Sequence, residues 1–138
     1  MTGDRARSAL ADTRFGDLRW VAETGSTNLD LLDEARSGAP EGLVLVADHQ
    51  TDGRGRLGRT WAAPAGSSLL VSILLRPDLG PDHVFAATMA VGVSAVEACA
   101  EVAGLAPALK WPNDLIVVAP DDASSVRTLG GMLTESVV

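Results

Sequence analysis

The chain has 138 residues, is 46% hydrophobic and 21% charged, and carries a formal net charge of −7 at pH 7. A chain of this length can bury a core and fits one domain, and its acidic balance argues against a protein that binds a polyanion. The single cysteine, Cys99, excludes an internal disulfide and favours a reducing cytoplasm.

The first predicted elements are a strand and a helix. Residues 1–17 are polar, lack the apolar core of a secretory signal, and are predicted to be a lead-in or a short helix. The alternation of Leu18 to Glu23 predicts a strand. Apolar spacing then predicts a helix from Asn28 to Arg36, ended by Gly38.

A turn rich in hydroxyl and amide groups precedes this helix. Ser26 or Thr27 is a credible N-cap, with Asn28 beside them. Most clusters of this kind are helix caps, and a role in binding a ligand is the less common alternative.

A second apolar strand, Leu43 to Ala47, leads past Gln50 into a long loop, and a third strand returns from Ser68 to Leu75. A loop of this length between two strands is uncommon unless it serves as a lid or a binding loop.

This loop interleaves glycines with arginines, in the order Gly53, Arg54, Gly55, Arg56, Gly58 and Arg59. Glycine lets backbone N–H groups approach a ligand, and the planar guanidinium matches carboxylate and phosphate oxygens. Because the charges repel one another in a mobile loop, we expect the loop to bind a small anion and to become ordered with it. Trp61 adds a flat face that can stack on a base. A disordered segment that binds RNA is the alternative, although such segments usually repeat in basic chains.

A long helix is predicted from Pro81 to Ala103, with Gly104 at its end. Its apolar residues form two lines, Val84, Ala87, Val91 and Ala95, and Ala86, Met89, Val93 and Val96. A helix apolar over so much of its circumference is expected to pack flat on a sheet. The uncharged run from Val84 to Val96 is shorter than a membrane span.

The next stretch carries the only lysine of the chain, Lys110, which strand alternation would place opposite Trp111. Asn113 and Asp114 offer an amide and a carboxylate at a strand turn, where a metal–phosphate group could be held. An ordinary Asn–Asp turn is the more common explanation.

The last part of the chain is predicted to be a polar loop from Pro120 to Arg127, followed by a strand that begins at Leu129. The two histidines are isolated in the sequence, so no metal-binding cluster and no dedicated metal ligand is predicted, and no Walker-type phosphate loop occurs.

Four stretches, in this order, resemble the catalytic domain of biotin protein ligases. They are ETGSTN (Glu23–Asn28), HQTDGRGRLGRTW (His49–Trp61), KWPND (Lys110–Asp114) and LGGMLTE (Leu129–Glu135). The resemblance implies an α+β fold, in which a mixed β-sheet packs with helices on one side, related to class II aminoacyl-tRNA synthetases and lipoate ligases. It implies a reaction in which biotin and ATP form biotinyl-5′-AMP and pyrophosphate, after which biotin passes to a lysine of the biotin carboxyl carrier domain of a carboxylase.

The resemblance also implies roles for individual residues. Biotin would be bound by Ser26, Thr27, Asn28, Gln50, Arg54, Gly55, Arg56 and Gly131. ATP, with Mg²⁺ near its phosphates, would be bound by Arg59, Trp61, Asn113 and Asp114. Catalysis would fall to Arg56, Asp114 and the residue at position 128. Arg56 would lie near the biotin carboxylate and the α-phosphate, two anions that must be held together against their repulsion.

Position 128 departs from the family pattern, because Thr128 stands where the family has a lysine that touches both anions. Losing one such donor typically costs about 10²–10³ in rate, so we expect impaired adenylation. We further expect residues 18–138 to be the N-terminal portion of the catalytic domain, incomplete at the C-terminus, without a DNA-binding domain or the family's SH3-like domain. An apolar strand edge at Thr134–Val138 would invite association, including homodimer formation.

Two other functions remain open. A non-catalytic binder of biotin or biotinyl-AMP would explain the loss of the lysine, and a lipoate or octanoate ligase relative would share the fold. The arginine–glycine loop favours biotin. We expect a cytoplasmic protein that has neither nucleic acid nor a membrane as a partner.

Overall fold

The computed structural model describes residues 3–80, 83–119 and 122–137, and the chain divides into two compact units. The first unit comprises Met1–Arg76 and Glu135–Val138, and the second comprises Pro77–Thr134. Each unit contains one three-stranded sheet and at least one helix. The predicted α+β class, with mixed strands and helices, is confirmed.

The first unit is a mixed sheet with two helices. Its elements are α1 (Gly3–Leu10), β1 (Leu18–Thr24), α2 (Thr27–Arg36), β2 (Val44–Gln50) and β3 (Leu70–Ile73). Strands β1 and β2 run parallel, which requires a crossover, and α2 supplies it. Strand β3 lies antiparallel to β2 on its other side.

The core of this unit lies on both faces of the central strand β2, because successive side chains point to opposite faces. On one face Val44 and Val46 pack with Leu18, and α1 covers them through Ala6 and Leu10. On the other face the core is formed by Leu31 of α2 with Leu43 and Leu45. Part of the polar lead-in is therefore a helix that packs on the core.

The second unit is an antiparallel sheet preceded by one long helix. Its elements are α3 (Val84–Ala103), β4 (Ala108–Lys110), β5 (Asp114–Ala119) and β6 (Asp122–Gly131). Thr128 pairs with Ile116, whereas Gly130 pairs with Leu115. Leu129 between them is therefore the extra residue of a β-bulge.

The strand β6 corrects two expectations. The predicted polar loop from Pro120 to Arg127 is a strand from Asp122 onward, and its first two residues lie outside the described residues. The strand predicted to begin at Leu129 instead ends at Gly131, and residues 132–137 are not in a strand. Pairing with the apolar strand β5 supplies ladder hydrogen bonds that the polar composition of residues 122–127 does not reveal. The predicted apolar strand edge is thus absent from residues 134–137.

Helix α3 ends as predicted, with Gly104 in the left-handed region at φ 63°. It begins at Val84, and Pro81 and Asp82 lie outside the described residues. The expectation of flat packing on a sheet is wrong, because Thr88 and Gly92 are the only buried residues of this fully described helix. A side chain at Gly92 would lie 3.1 Å from Leu109 and 3.2 Å from Met132, so contact is concentrated along one narrow line.

By length and composition alone, α3 is long and apolar enough to cross a membrane, and it is the one such helix among the described residues. The short uncharged run within it therefore does not by itself exclude a span. One helix of this kind is weak evidence for a membrane protein, because core helices of other proteins meet the same criterion.

We expect Glu41 to make the stability of the first unit depend on acid pH. The backbone N–H of Arg76 donates to this carboxylate at 2.7 Å and, together with Arg14, lowers its pKa from the ordinary 4.5. The stabilisation is therefore full above pH 4.5 and is lost as the pH falls through the lower folded-state pKa. Urea unfolding from pH 3 to 7 should show that Glu41→Gln destabilises most at neutral pH and least in acid. A difference that is constant across this range would contradict the assignment.

Candidate functional site

The arginine–glycine stretch is a small hairpin with hydrogen bonds of its own, which we call the arginine–glycine hairpin (residues 53–61). Trp61 N donates to Gly53 O at 2.8 Å, and Gly55 N donates to Arg59 O at 2.7 Å. Leu57, with φ 58°, lies in the turn at the tip. The backbone of this stretch therefore forms a hairpin, and the ordering of the loop by an anionic ligand stays a prediction.

The glycines of this hairpin differ in what the fold requires of them. A Cβ atom at Gly53 would lie 2.2 Å from the carbonyl oxygen of Trp61, so only glycine fits. Gly58 has φ 72°, which favours glycine. Gly55 has an extended backbone and a Cβ atom there would lie 3.4 Å from its nearest neighbour. The fold therefore does not require glycine at position 55, which leaves close approach of a ligand as a reason for it.

The arginines of the hairpin are exposed, as a site for an anion requires. The side chain of Arg54 is 42% exposed, and its Nη1 lies 3.2 Å from a carboxylate oxygen of Glu135. Arg56 and Arg59 are also exposed. Trp61, whose ring could stack on a base, is 37% exposed.

A buried polar cluster lies where α2 begins. Ser26 and Thr27 are 2% and 3% exposed, and Ser72 of β3 is 9% exposed. Gln50 Oε1 accepts from both the backbone N and the Oγ1 of Thr27, at 2.8 and 2.9 Å. Ser72 Oγ lies 2.8 Å from Thr27 Oγ1 and donates to Asn28 Oδ1 at 3.1 Å. We call these five residues the hydroxyl–amide cluster.

The hydroxyl–amide cluster has more oxygen–oxygen contacts than hydroxyl protons to share among them. The hydroxyls of Thr27 and Ser72 carry one proton each, yet three short contacts join them to each other, to Gln50 Oε1 and to Asn28 Oδ1. The amide orientations are fixed, because Gln50 Oε1 faces an N–H group and Asn28 Nδ2 faces a carboxylate. Two hydroxyl protons serve at most two of these three contacts, so the oxygens of the cluster retain acceptor capacity for a donor from outside.

The helix cap interpretation explains only part of this cluster. Ser26 occupies the N-cap position, with φ −156° and ψ 122°, but its side chain makes no cap hydrogen bond. Helix α2 begins one residue before the prediction, at Thr27, whose hydroxyl belongs to the cluster. Ser26 is thus buried at the N-cap position without capping the helix through its side chain.

In the second unit, the KWPND stretch lines an apolar pocket of about 170 Å³. Its lining residues are Met89, Leu109, Lys110, Trp111, Pro112, Asn113, Asp114 and Met132. The expectation that Lys110 and Trp111 lie on opposite sides is wrong, because β4 ends at Lys110 and strand alternation does not continue into the turn. The ring of Trp111 contacts that of Phe85, with centroids 4.7 Å apart.

Asn113 and Asp114, which are both predicted to bind the nucleotide, make different contacts in the structure. Asn113 donates from Nδ2 to Met132 O at 2.9 Å and accepts from Met132 N with its backbone oxygen, which fastens the turn to the end of β6. Asp114 begins β5, is half-buried, and pairs with Gly131 across the sheet. The structure therefore brings Asn113, Asp114 and Gly131 together.

Thr128 is exposed on β6, beside the bulge at Leu129. Bulges re-aim neighbouring side chains and are common next to functional sites. The predicted site residues thus form one set in each unit. Sequence analysis missed Ser72 and Glu135 in the first unit; a lone polar residue in the apolar strand LVSI was an available signal for Ser72.

Comparison with known proteins gives the same assignment as the motifs. The sequence profile of the Biotin/lipoate A/B protein ligase family matches residues 21–138. The biotin–[acetyl-CoA-carboxylase] ligase of Mycobacterium tuberculosis is 45% identical over 77% of this chain, and the human biotin–protein ligase is 34% identical over 96% of it.

Solved structures of biotin protein ligases are also similar. A mutant of the Aquifex aeolicus enzyme in complex with biotin matches 90% of this chain, with a TM-score of 0.70 and 33% identity, and the match covers 48% of that chain. The Leishmania major enzyme in complex with biotinyl-5-AMP matches 88% of this chain, with a TM-score of 0.66 and 29% identity, and the match covers 52% of that chain.

The fold is of the α+β class, as in the solved biotin protein ligases to which the chain is similar. The chain belongs to the Biotin/lipoate A/B protein ligase family. It spans 42% of the length of the M. tuberculosis relative and 18% of that of the human relative.

We expect Gly53→Ala and Gly55→Ala to have opposite consequences. The collision at position 53 should open the hairpin and destabilise the fold by about 1–3 kcal/mol, whereas alanine at position 55 should be neutral or slightly stabilising. Urea unfolding and the rate of trypsin cleavage at the hairpin arginines would measure both effects. Equal tolerance at the two positions would contradict the observed backbone contact.

Proposed function

We propose that the chain provides the N-terminal portion, residues 18–138, of the catalytic domain of a cytoplasmic biotin protein ligase. The reaction joins biotin to ATP as biotinyl-5′-AMP with release of pyrophosphate, and then transfers biotin to a lysine of a biotin carboxyl carrier domain. Family membership supports this proposal, as do relatives and solved structures named for biotin ligation. The observation that carries it is the acceptor-rich hydroxyl–amide cluster beside a cationic hairpin in the same unit.

The hydroxyl–amide cluster suits the ureido group of biotin, whose N–H groups would donate to its acceptor oxygens. Thr27, Asn28 and Gln50 would accept from the ligand, and the buried Ser26 hydroxyl would be available to it. Burial matters here, because a polar contact is stronger where water is excluded.

The arginine–glycine hairpin suits the charged end of the substrate. Arg54 and Arg56 would face the carboxylate and the α-phosphate, and Gly55 would let the backbone approach them. Arg59 and Trp61 would contact the nucleotide. Bringing two anions into contact is the main barrier to adenylation, and fixed guanidinium groups offset their repulsion.

The second unit has a set of polar residues of its own, Asn113, Asp114 and Gly131, for which the resemblance to the family implies roles in binding the substrates. Among the described residues, no group of three or more His, Cys, Asp or Glu side chains could hold a metal by itself. Asp114 offers one carboxylate, which fits a Mg²⁺ ion held mainly by nucleotide phosphates. The ion would supply charge neutralisation, while Asn113 would hold the turn in place.

Biotin-dependent release of pyrophosphate from ATP tests this function directly. We expect biotin binding by calorimetry and slow release of pyrophosphate. Thr27→Val, which keeps the shape but removes the hydroxyl, should weaken biotin binding about tenfold, or about 1.4 kcal/mol. Failure to bind biotin, biotinyl-AMP or ATP would exclude the proposal, and preference for lipoate or octanoate in competition would favour that branch of the family.

The exposed, neutral Thr128 favours one alternative, a binder without turnover. We expect Thr128→Lys to raise the rate of pyrophosphate release by up to about 10², because it restores a cationic donor at the lysine position of the family. Val126→Lys is the matched control, since it adds the same charge two residues away in β6. Equal effects of both lysines would show a general charge effect, and binding without release by either variant would support the binder.

A further inference from the structure

Glu135 holds the side-chain amide of Asn28 in one orientation. Glu135 Oε2 accepts from Asn28 Nδ2 at 2.7 Å, and the side chain of Glu135 is 24% exposed. An ionised carboxylate accepts hydrogen bonds and donates none, so it can face only the NH₂ side of the amide. The oxygen side of the amide, Asn28 Oδ1, therefore faces Ser72 Oγ at 3.1 Å.

This orientation decides where the hydroxyl protons of the cluster go. An amide oxygen carries no proton, so Ser72 donates to Asn28 and uses its only proton there. The single proton of Thr27 must then serve both Ser72 Oγ, at 2.8 Å, and Gln50 Oε1, at 2.9 Å. The carboxylate of Glu135 thus leaves acceptor capacity on the oxygens of Thr27 and Gln50.

The opposite orientation of the Asn28 amide would satisfy the cluster without a ligand. Its NH₂ group would then donate to Ser72, and the proton of Ser72 would be free for Thr27. The proton of Thr27 would in turn serve Gln50, so that each short contact would hold one proton. Glu135 excludes this state, because it would place the amide oxygen of Asn28 against a carboxylate oxygen with no proton between them.

We propose that Glu135 is a specificity-determining residue. By fixing the amide of Asn28 it keeps the hydroxyl–amide cluster short of protons, and the cluster thereby selects a ligand that brings N–H donors, such as a cyclic urea. The orientation of Asn28 stands on this geometry alone, whereas the choice of biotin as the ligand rests on the proposed function.

Burial turns the shortage of protons into selectivity. Thr27 is 3% exposed and Ser72 is 9% exposed, so these oxygens lie away from bulk water. A buried site built to hydrogen-bond a ligand rejects an analogue that lacks the matching group, because its own polar atoms are left unpaired. The ring of lipoate and the chain of octanoate carry no N–H group, so Glu135 would discriminate against both.

Binding of biotin and of biotinol, in which an alcohol replaces the carboxylate, tests this selectivity by calorimetry. Glu135→Gln should weaken both about tenfold, because a glutamine can face either side of the Asn28 amide. The preference for biotin over lipoate should fall with it. Biotinol separates a second route, since Glu135 Oε1 also lies 3.2 Å from Arg54 Nη1. An effect on biotin with none on biotinol would overturn the proposal, as would an unchanged preference over lipoate.

Exchanging the amide and the carboxylate tests the orientation of position 28. Asn28→Asp places two carboxylates side by side and should weaken biotinol binding at least tenfold. In the double variant with Glu135→Gln, the glutamine can donate to one oxygen of the new carboxylate, and the other oxygen still accepts from Ser72. Binding of biotinol should therefore recover to within about threefold of the parent chain. Additive losses in the double variant would contradict the assignment.

Nuclear magnetic resonance of the ligand-free chain tests the first step without any ligand. Glu135→Gln should move the side-chain N–H resonances of Asn28, whereas Glu101→Gln, on the exposed surface of α3, is the matched control and should leave them in place. Unmoved resonances in Glu135→Gln would show that the carboxylate does not hold the amide. If the parent chain binds neither biotin nor biotinol, the proposed function fails, while this experiment still decides whether Glu135 orients Asn28.

Discussion

The hydrogen bonds around Thr27 are the interaction on which the first unit depends. Gln50 at the end of β2 accepts from the backbone and the hydroxyl of Thr27, and Ser72 of β3 contacts that hydroxyl from the other side. Two strands and the first turn of α2 are therefore joined at one buried point. Burying polar groups is unfavourable unless they are paired, and here they are paired with too few protons. The same arrangement that joins the elements also leaves them ready for a donor from outside.

The net charge of the chain and the local charge of the arginine–glycine hairpin have opposite signs. The chain is acidic overall, yet the arginine–glycine hairpin concentrates exposed arginines at one place in the first unit. Local positive charge on an acidic body favours a small anion over a long polyanion. The hairpin backbone is held by contacts that only glycine permits at position 53, and the side chain of Arg54 pairs with Glu135.

Three local patterns in the sequence differ from the structure, each for a physical reason. The apolar circumference of α3 predicts broad packing, but its buried contact is confined to the line of Thr88 and Gly92. Residues 122–127 look like a loop by composition, and pairing with β5 makes them a strand. Lys110 and Trp111 line the same pocket because the strand ends between them. For residues 122–127, pairing with another strand overrode the local composition.

The sequence by itself determined the class of fold, the first strand and second helix, the end of α3 and the family, since periodicity, turn residues and ordered motifs are local properties. It also named most of the polar residues that the first unit brings together. Only the tertiary structure decided that Ser72 completes the hydroxyl–amide cluster and that Glu135 reaches Asn28, 107 residues away in the chain. Such pairs depend on strand register and chain path, which no local pattern of residues encodes.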